Sequence, residues 1–246
     1  MKFELEVIAF DILSCKLAAD NGADRIELCA NPHEGGTTPS YGMMKAARKS
    51  TRIQVFPIIR PRGGDFLYSN EEFEAMKDDI KAAQDIGCEG VVIGILNKDG
   101  GIDLEKSQEL VDLAKGMEVT FHRAFDRVKD PISSLEQIIA IGCKRILSSG
   151  LMPTAMEGNA TLKKLVSHAD GRIKIMPGSG VRAENIIQLA KDTGATCFHS
   201  SARKTLLSQM NYFNTNMKEN LIQVSLDSTE VKHLKNNLVS HFHSKH

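Results

Sequence analysis

The sequence predicts an α/β protein with a single (β/α)8 barrel of the TIM type and an extra C-terminal helix. The first observation is an internal repeat, in which a Gly ends a helical pattern and an apolar strand follows directly. Its four copies begin at Gly22, Gly87, Gly142 and Gly194. The second observation is a further strand candidate in each interval and before the first copy, so strands and helices alternate eight times within 246 residues.

The strand candidates outside the repeat are Phe3 to Ala9, Ile53 to Ile59, Glu118 to Phe121 and Ile173 to Met176. Three helix starts stand between strands, at Thr38-Pro39, at the capping box Ser69 to Glu72 and at Asp130-Pro131. A doubly wound open sheet would show the same alternation, but eight units of near-equal size favour the barrel. We expect the barrel domain over residues 1–212. A C-terminal extension over 213–246 should carry one helix, capped at Asp227 and running to about Ser240.

Composition bounds the class of partner. The chain has 31 basic and 31 acidic residues, so no overall field attracts nucleic acid or a membrane surface, and a small-molecule ligand is expected. It contains neither a signal peptide pattern nor an apolar run of the ~20 residues that a membrane span needs. Five cysteines without CxxC spacing indicate reduced thiols. Together these features predict a cytoplasmic protein.

The repeat also sets the strand register. The fourth residue after the repeat Gly is apolar in every copy, namely Ile26, Val91, Ile146 and Phe198. By the two-residue period of a strand, this position faces the helices and its neighbours face the barrel interior. The polar inward side chains concentrate late in their strands, near the rim where barrels carry chemistry. They are Glu6, Glu27, Arg60, His122 and His199.

These polar side chains have two explanations. Any one of them could be a Glu, Arg or His that is satisfied by a neighbour inside the barrel and has only a structural role. Five polar groups from five strands at one end favour a functional site, because burying that much unpaired polarity costs several kcal/mol. Glu6, Glu27, His122 and His199 are therefore catalytic candidates.

His122 lies four residues before Asp126, at the end of the fifth strand. An imidazole that titrates near neutral pH, oriented by a carboxylate, is a typical general acid or base, which makes both residues catalytic candidates. Equally, Asp126 could cap a turn and pair with Arg123 or Arg127.

An anion site is predicted from two loops. The third strand ends in Arg60 and Arg62 beside two glycines, and guanidinium groups suit carboxylate or phosphate ligands. The seventh strand runs into a glycine-rich turn before a helix, where barrels often bind phosphate through backbone amides. The turn residues and their neighbour after the eighth strand are Gly178, Ser179, Gly180 and Ser201.

Cys29 is the one cysteine that reaches the predicted rim, and with His33 four residues later it could hold a soft metal such as Cu(I). A buried, inert thiol is the other interpretation. The loop from Ala30 to Thr38 is long and contains Gly35-Gly36. It could be a lid over the site or an ordinary surface loop.

Several motifs together resemble the CutC family of copper homeostasis proteins, over about residues 3 to 204. They are Arg25 to Cys29, Glu34 to Ser40, Arg60 to Phe66, Val119 to Asp126 and Met176 to Gly180. The resemblance implies a cytosolic TIM barrel, usually a homo-oligomer such as a dimer or tetramer. It also implies copper as a bound ion, with Cys29 as the ligand. Some members carry a second Cys after the first-strand Glu, where this chain has Ile8.

Two functions remain open from the sequence. The first is copper homeostasis with copper bound through Cys29. The second is a barrel enzyme acting on a small anionic or phosphorylated metabolite. In the enzyme, Arg60, Arg62 and the turn from Gly178 to Gly180 would hold the anion, and His122 or Glu27 would move a proton.

Overall fold

In the computed structural model, which describes residues 3–218 and 220–243, eight parallel strands form two four-stranded arcs with orders β3-β2-β1-β8 and β4-β5-β6-β7. The strands are β1 (Glu4–Ala9), β2 (Arg25–Leu28), β3 (Gln54–Pro57), β4 (Gly90–Ile93), β5 (Glu118–Phe121), β6 (Arg145–Ser148), β7 (Lys174–Pro177) and β8 (Cys197–Ser200). The amide of Ile59 donates to the carbonyl of Val92 at 2.8 Å, which joins the arcs between β3 and β4. The arcs meet again where β7 and β8 lie side by side. The predicted barrel is confirmed.

Helices connect the strands around the outside of the barrel. They are α1 (Ile12–Asp20), α2 (Tyr41–Ser50), α3 (Asn70–Ile86), α4 (Leu104–Leu113), α5 (Pro131–Ala140), α6 (Asn159–Ala169) and α7 (Ile186–Thr193), with short 3-10 turns at Pro32–Glu34 and Arg123–Arg127. The predicted capping box at Ser69 and the cap at Asp130 are present. The start predicted at Thr38-Pro39 falls slightly later, because Ser40 accepts from the amide of Met43 and caps α2.

The repeat glycines all adopt positive φ, at +94° for Gly22, +81° for Gly87, +94° for Gly142 and +76° for Gly194. Each follows a helix and turns the chain into the next strand. A side chain at these angles would strain the backbone, so the recurring Gly is explained by local geometry.

The predicted register is confirmed. The four outward residues Ile26, Val91, Ile146 and Phe198 are fully buried in the core between strands and helices. The interior of the barrel contains two smaller apolar clusters, formed by Cys29, Phe56, Ile58 and Val92 and by Leu147, Met176 and Cys197. The remaining interior space is occupied by charged and polar side chains, which form the candidate site.

Beyond β8 the chain forms an antiparallel hairpin of β9 (Arg203–Leu206) and β10 (Gln223–Leu226), followed by α8 (Ser228–His243). The amide of Leu226 donates to Oγ of Ser14 on α1 at 3.3 Å. The C-terminal helix was predicted, with Asp227 accepting from the amide of Thr229. The hairpin was not predicted, and it spans the domain division expected at residue 212, which stays a prediction. Residues 1, 2, 219 and 244–246 of the two predicted ranges lie outside the described residues.

α8 returns the chain to its beginning. The ring of His241 lies 5.9 Å from the ring of Phe3, just before β1. Over the described ranges, the structure contains no helix with the length and apolarity that crossing a membrane requires.

Candidate functional site

A buried ion pair occupies the middle of the barrel interior. Nε of Arg25 lies 2.5 Å from Oε2 of Glu6, and the Arg25 guanidinium also donates to Oγ1 of Thr120 at 3.1 Å on the opposite side of the barrel. Its carbon lies 3.3 Å from the centre of the Phe56 ring. Burial acts to raise the pKa of Glu6, but Arg25 and His199 outweigh burial and lower that pKa to about 2. Glu6 is therefore a permanent carboxylate.

His199 connects this carboxylate to a second one. Its Nδ1 lies 2.7 Å from Oε1 of Glu6, and its Nε2 lies 3.7 Å from Oε2 of Glu27. Burial acts to lower the pKa of His199, but the hydrogen bond to Glu6 and the charge of Glu27 raise it. For Glu27, burial dominates and raises the pKa to about 7, although the charge of His199 opposes this.

The three side chains Glu6, His199 and Glu27 form an array that we call the interior carboxylate array. Its two carboxyl groups differ in proton affinity, because Glu6 has a direct ion pair with Arg25 and a hydrogen bond from His199, whereas Arg25 only weakly offsets the effect of burial on Glu27. Glu27 can gain or lose a proton near neutral pH, as a general acid or base must. The structure thus brings three of the predicted catalytic residues together.

His122 is separate from this array. Its Nδ1 accepts the amide hydrogen of Ala124 at 3.1 Å, which leaves the proton on Nε2, and Nε2 is buried without a hydrogen-bond partner among the described residues. Burial and the charge of Arg60 lower the pKa of His122 to about 3. The side chain is therefore a neutral donor at physiological pH. It fits against the backbone only because Gly94 has no Cβ, which would overlap the imidazole ring.

The predicted orientation of His122 by Asp126 is wrong. Asp126 instead accepts from Oγ of Ser148 at 2.6 Å and from Nε of Arg123 at 2.8 Å, and it also binds backbone amides that follow β6. The alternative interpretation, a turn carboxylate paired with Arg123, is confirmed. Asp126 fixes the loop after β6 and the position of the Arg123 guanidinium.

Arg60 and Arg62 hold loops in place. Nη1 of Arg60 donates to the carbonyls of Glu34 and Gly36, both at 2.7 Å, and Nη2 donates to that of Gly64 at 2.9 Å. Arg62 pairs with Glu72 at 2.6 Å, and it also binds Asp65 and backbone carbonyls. Most donors of both guanidinium groups are used within the protein, so their predicted role toward an anion stays a prediction.

The glycine-rich turn after β7 is held by its neighbours. The amide of Gly178 donates to the carbonyl of Ser148 at 2.9 Å, and Oγ of Ser179 donates to that of Pro153 at 2.7 Å. Ser179 has φ of +77°, and Gly180 follows at +71°. Ser201 is half-buried beyond β8. None of these four residues lines the cavity described next.

A cavity of about 810 Å³ opens at the carboxyl-terminal rim, and we call it the rim cavity. Of the predicted catalytic and anion-binding residues, Arg60 lines it. The other lining residues are His33, Glu34, Gly35, Gly64, Asp65, Phe66, Leu67, Leu96, Asn97, Lys98, Arg123 and Arg127. The loop containing Gly35 therefore borders a cavity, as a lid would, and Arg60 fastens that loop.

Cys29 is 1% exposed and lies among Phe56, Ile58 and Val92. Burial raises the pKa of its thiol well above the usual value, and the charges of Glu27 and Glu6 raise it further. The thiol is therefore protonated at neutral pH.

Comparison with known proteins then places the chain in a family. The family model described as the CutC family matches residues 3–204. The chain belongs to the CutC family. It is 50% identical over 208 residues to a CutC family protein of Chromobacterium violaceum, covering 85% of this chain and 84% of the relative. It is 46% identical over 215 residues to the human copper homeostasis protein cutC homolog, covering 87% of this chain and 79% of the relative.

A solved structure agrees with this assignment. The crystal structure of CutC from Streptococcus agalactiae superposes with a TM-score of 0.78 at 35% identity, over 81% of this chain and 98% of that one. The family membership and the barrel fold inferred from the sequence motifs are thus confirmed.

The copper ion that the CutC name suggests finds no fitting site here. Within residues 3–218 and 220–243, no group of three His, Cys, Asp or Glu side chains is placed to hold a metal ion. Copper(I) binds thiolates, whereas burial holds the Cys29 thiol protonated, and His33 is exposed at the protein surface. Ile8 packs against the apolar cluster that contains Cys29, so this side of the thiol carries no second soft ligand.

Two groups of residues at the site were not predicted from the sequence. Arg25 lies two positions before Glu27 on the same strand, so the strand register already placed it inside the barrel. Lys98, Arg123 and Arg127 follow β4 and β5, and only their position after strand ends marked them for the rim.

Proposed function

We propose that this protein contributes to copper homeostasis, the role named for its human relative, and that it does so by acting on a small ligand instead of holding a resident copper ion. The interior carboxylate array carries this proposal. A barrel that only stabilised itself would gain little from a carboxyl group whose pKa burial raises to about 7, because a protonatable group without function is readily replaced by an apolar one.

In this proposal Glu27 exchanges the proton, and Glu6 and His199 set its affinity. His199 is held by Glu6, so its Nε2 keeps a fixed position toward Glu27. Neutral His122 supplies a hydrogen-bond donor, Nε2–H, that has no partner within residues 3–218 and 220–243. The reaction class is proton transfer to or from a bound small molecule.

Our proposal and copper binding through Cys29 predict different outcomes when the protein competes with a chelator for Cu(I). We expect purified, reduced protein to leave Cu(I) with a competing chelator, because binding would require the buried thiol to lose its proton. The matched variants are Cys29→Ala and Cys15→Ala, since both thiols are buried. Near-stoichiometric Cu(I) retention by wild type and by Cys15→Ala, lost in Cys29→Ala, would overturn our proposal and establish Cys29 as a copper ligand.

A complementation experiment tests the role of the array directly. Cells that lack their own CutC gene and are copper-sensitive would receive wild type, Glu27→Gln, His199→Asn or Cys29→Ala, with protein levels checked by immunoblot. We expect wild type and Cys29→Ala to restore growth on copper, and the two array variants to fail. Restored growth with both array variants would contradict the proposal.

A further inference from the structure

The rim cavity carries an excess of positive charge that the protein does not neutralise. Lys98 and Arg127 are exposed, and neither has an ion-pair partner among the residues that the structure describes. Arg123 uses Nε on Asp126 and Nη2 on Ser149, which leaves Nη1 for a ligand. A cavity with this many uncompensated cations attracts anions.

The acidic residues of the cavity offset only part of this charge, because four lining residues (Arg60, Lys98, Arg123 and Arg127) are basic and two (Glu34 and Asp65) are acidic. Asp65 is paired with Arg62 at 3.0 Å. The carboxylate of Glu34 lies against the backbone of Gly63, where a Cβ would overlap it. Arg60 has its Nη atoms on carbonyls, which accept hydrogen bonds but carry no net charge, so its own positive charge also remains.

Local hydrogen bonds fix the backbone that carries Lys98 and Arg127. Oδ1 of Asn97 accepts from the amides of Asp99 and Gly101, at 3.0 and 2.9 Å, and so fixes the turn that presents Lys98. The carbonyl of Gly100 accepts from the amide of Lys129 at 2.8 Å, which ties this turn to the segment after Arg127. Because this backbone is already ordered, binding a ligand here costs less loop-ordering entropy.

One wall of the cavity is apolar and has unused hydrogen-bond donors behind it. Phe66, Leu67 and Leu96 line this wall. The Phe66 ring lies 5.0 Å from the His122 ring and 5.1 Å from the Arg60 guanidinium carbon. Nε2 of His122 and Nε of Arg60 are both buried without a partner in the described structure. Buried donors are nearly always satisfied, so a pair of unsatisfied donors beside a cavity points to a ligand oxygen.

We infer that the rim cavity binds a small organic anion with two or more negative charges and an apolar face, such as a phosphate monoester or a dicarboxylate. Lys98, Arg123 and Arg127 hold the charged end, and Phe66, Leu67 and Leu96 contact the apolar part. This inference rests on the proposed function and names the ligand class for it. The anion site then lies at the loops after β4 and β5. The sequence had predicted it at Arg62 and the Gly178 turn.

Four probes that share one aromatic ring and differ in charge test the ligand class: phenyl phosphate, phthalate, benzyl alcohol and benzylamine. We expect phenyl phosphate or phthalate to raise the Tm and to give a binding isotherm, and benzyl alcohol and benzylamine to do neither. The difference between phenyl phosphate and phthalate tells whether phosphate or carboxylate is preferred. Anions that bind no better than benzyl alcohol would overturn the inference.

Two charge-matched double variants test the location. Lys98→Gln/Arg127→Gln should weaken anion binding by about tenfold or more, since it removes two of the three cationic groups that hold the charged end of the ligand. Lys49→Gln/Arg52→Gln removes the same charges from a basic surface depression on a different face, and should bind as wild type does. All four positions are exposed, so both proteins should fold, which circular dichroism verifies. Equal weakening in both double variants would show a nonspecific charge effect and overturn the inference.

The outcomes also separate this inference from the proposed function. Binding of benzyl alcohol or benzylamine without the anions would keep the cavity as a ligand site and reject only the anion class. No binding by any probe, together with loss of complementation in Glu27→Gln, would reject the anion inference while the role of the interior carboxylate array stands.

Discussion

The guanidinium carbon of Arg25 lies 3.3 Å from the centre of the Phe56 ring, inside the barrel and away from water. The same guanidinium neutralises Glu6, which in turn holds His199. The proton affinities of the interior carboxylate array therefore depend on a residue that belongs to no recognised catalytic pattern.

Arg25→Met should destabilise the protein by about 3–5 kcal/mol, because it leaves the Glu6 charge buried without its main partner. Arg48→Met is the control, since Arg48 forms a similar 2.6 Å ion pair with Glu89 in a half-exposed position and should cost at most about 1 kcal/mol. Urea unfolding at neutral pH gives both values. Equal losses in the two variants would mean that burial does not amplify the Arg25 pair.

Glu27→Gln should change how stability depends on pH. Burial raises the pKa of Glu27 to about 7 in the folded state, above its unfolded value, so the stability it contributes is complete below the unfolded pKa and is lost as pH rises through 7. Gln cannot ionise, so the Tm of the variant minus that of wild type should increase from about pH 5 to about pH 8. A parallel series on the exposed glutamate variant Glu105→Gln should show a constant difference, and a constant difference for Glu27→Gln would contradict the raised pKa.

Gly94→Ala should destabilise the protein by about 1–3 kcal/mol through overpacking, since the new methyl group would overlap the His122 ring. Gly42→Ala, in the first turn of α2 with no atom within 4 Å of a new Cβ, should be neutral or mildly stabilising. Thermal unfolding compares the two variants. A Gly94→Ala protein as stable as wild type would show that His122 can leave its position.

Arg60→Met should loosen two loops together, because it removes the donor shared by the carbonyls of Glu34, Gly36 and Gly64. Hydrogen bonds from a charged group contribute about 1.5–3 kcal/mol each, so local opening should increase by about tenfold or more. Limited proteolysis followed by mass spectrometry should show faster cleavage near Gly35 and Gly64, with Arg52→Met as an exposed control. Unchanged cleavage at those sites would contradict the fastening role of Arg60.

The barrel and its register could be predicted because they depend on local periodicity. The repeat Gly and the apolar fourth residue after it place Glu27 and His199 inside the barrel. The same alternation along the first strand places Glu6 there. The pairing of Asp126 with Arg123 was one of two interpretations of the sequence, because the two residues are close in the chain. The contacts of Asp126 with the loop after β6 and those of Arg60 with two other loops could not be predicted, because no local pattern specifies the positions of those backbone groups. The rim cavity was missed in the same way, since it forms between four separate loops.

The contact between Phe3 and His241 brings the beginning and end of the described chain together at the mouth opposite the rim. A peptide linker joining Phe3 to His241 would therefore be short. Phe3 and His241 both lie at the mouth opposite the rim cavity. A label or surface attachment placed beside this pair would therefore leave the rim cavity facing solution, which suits the ligand measurements that the inference requires.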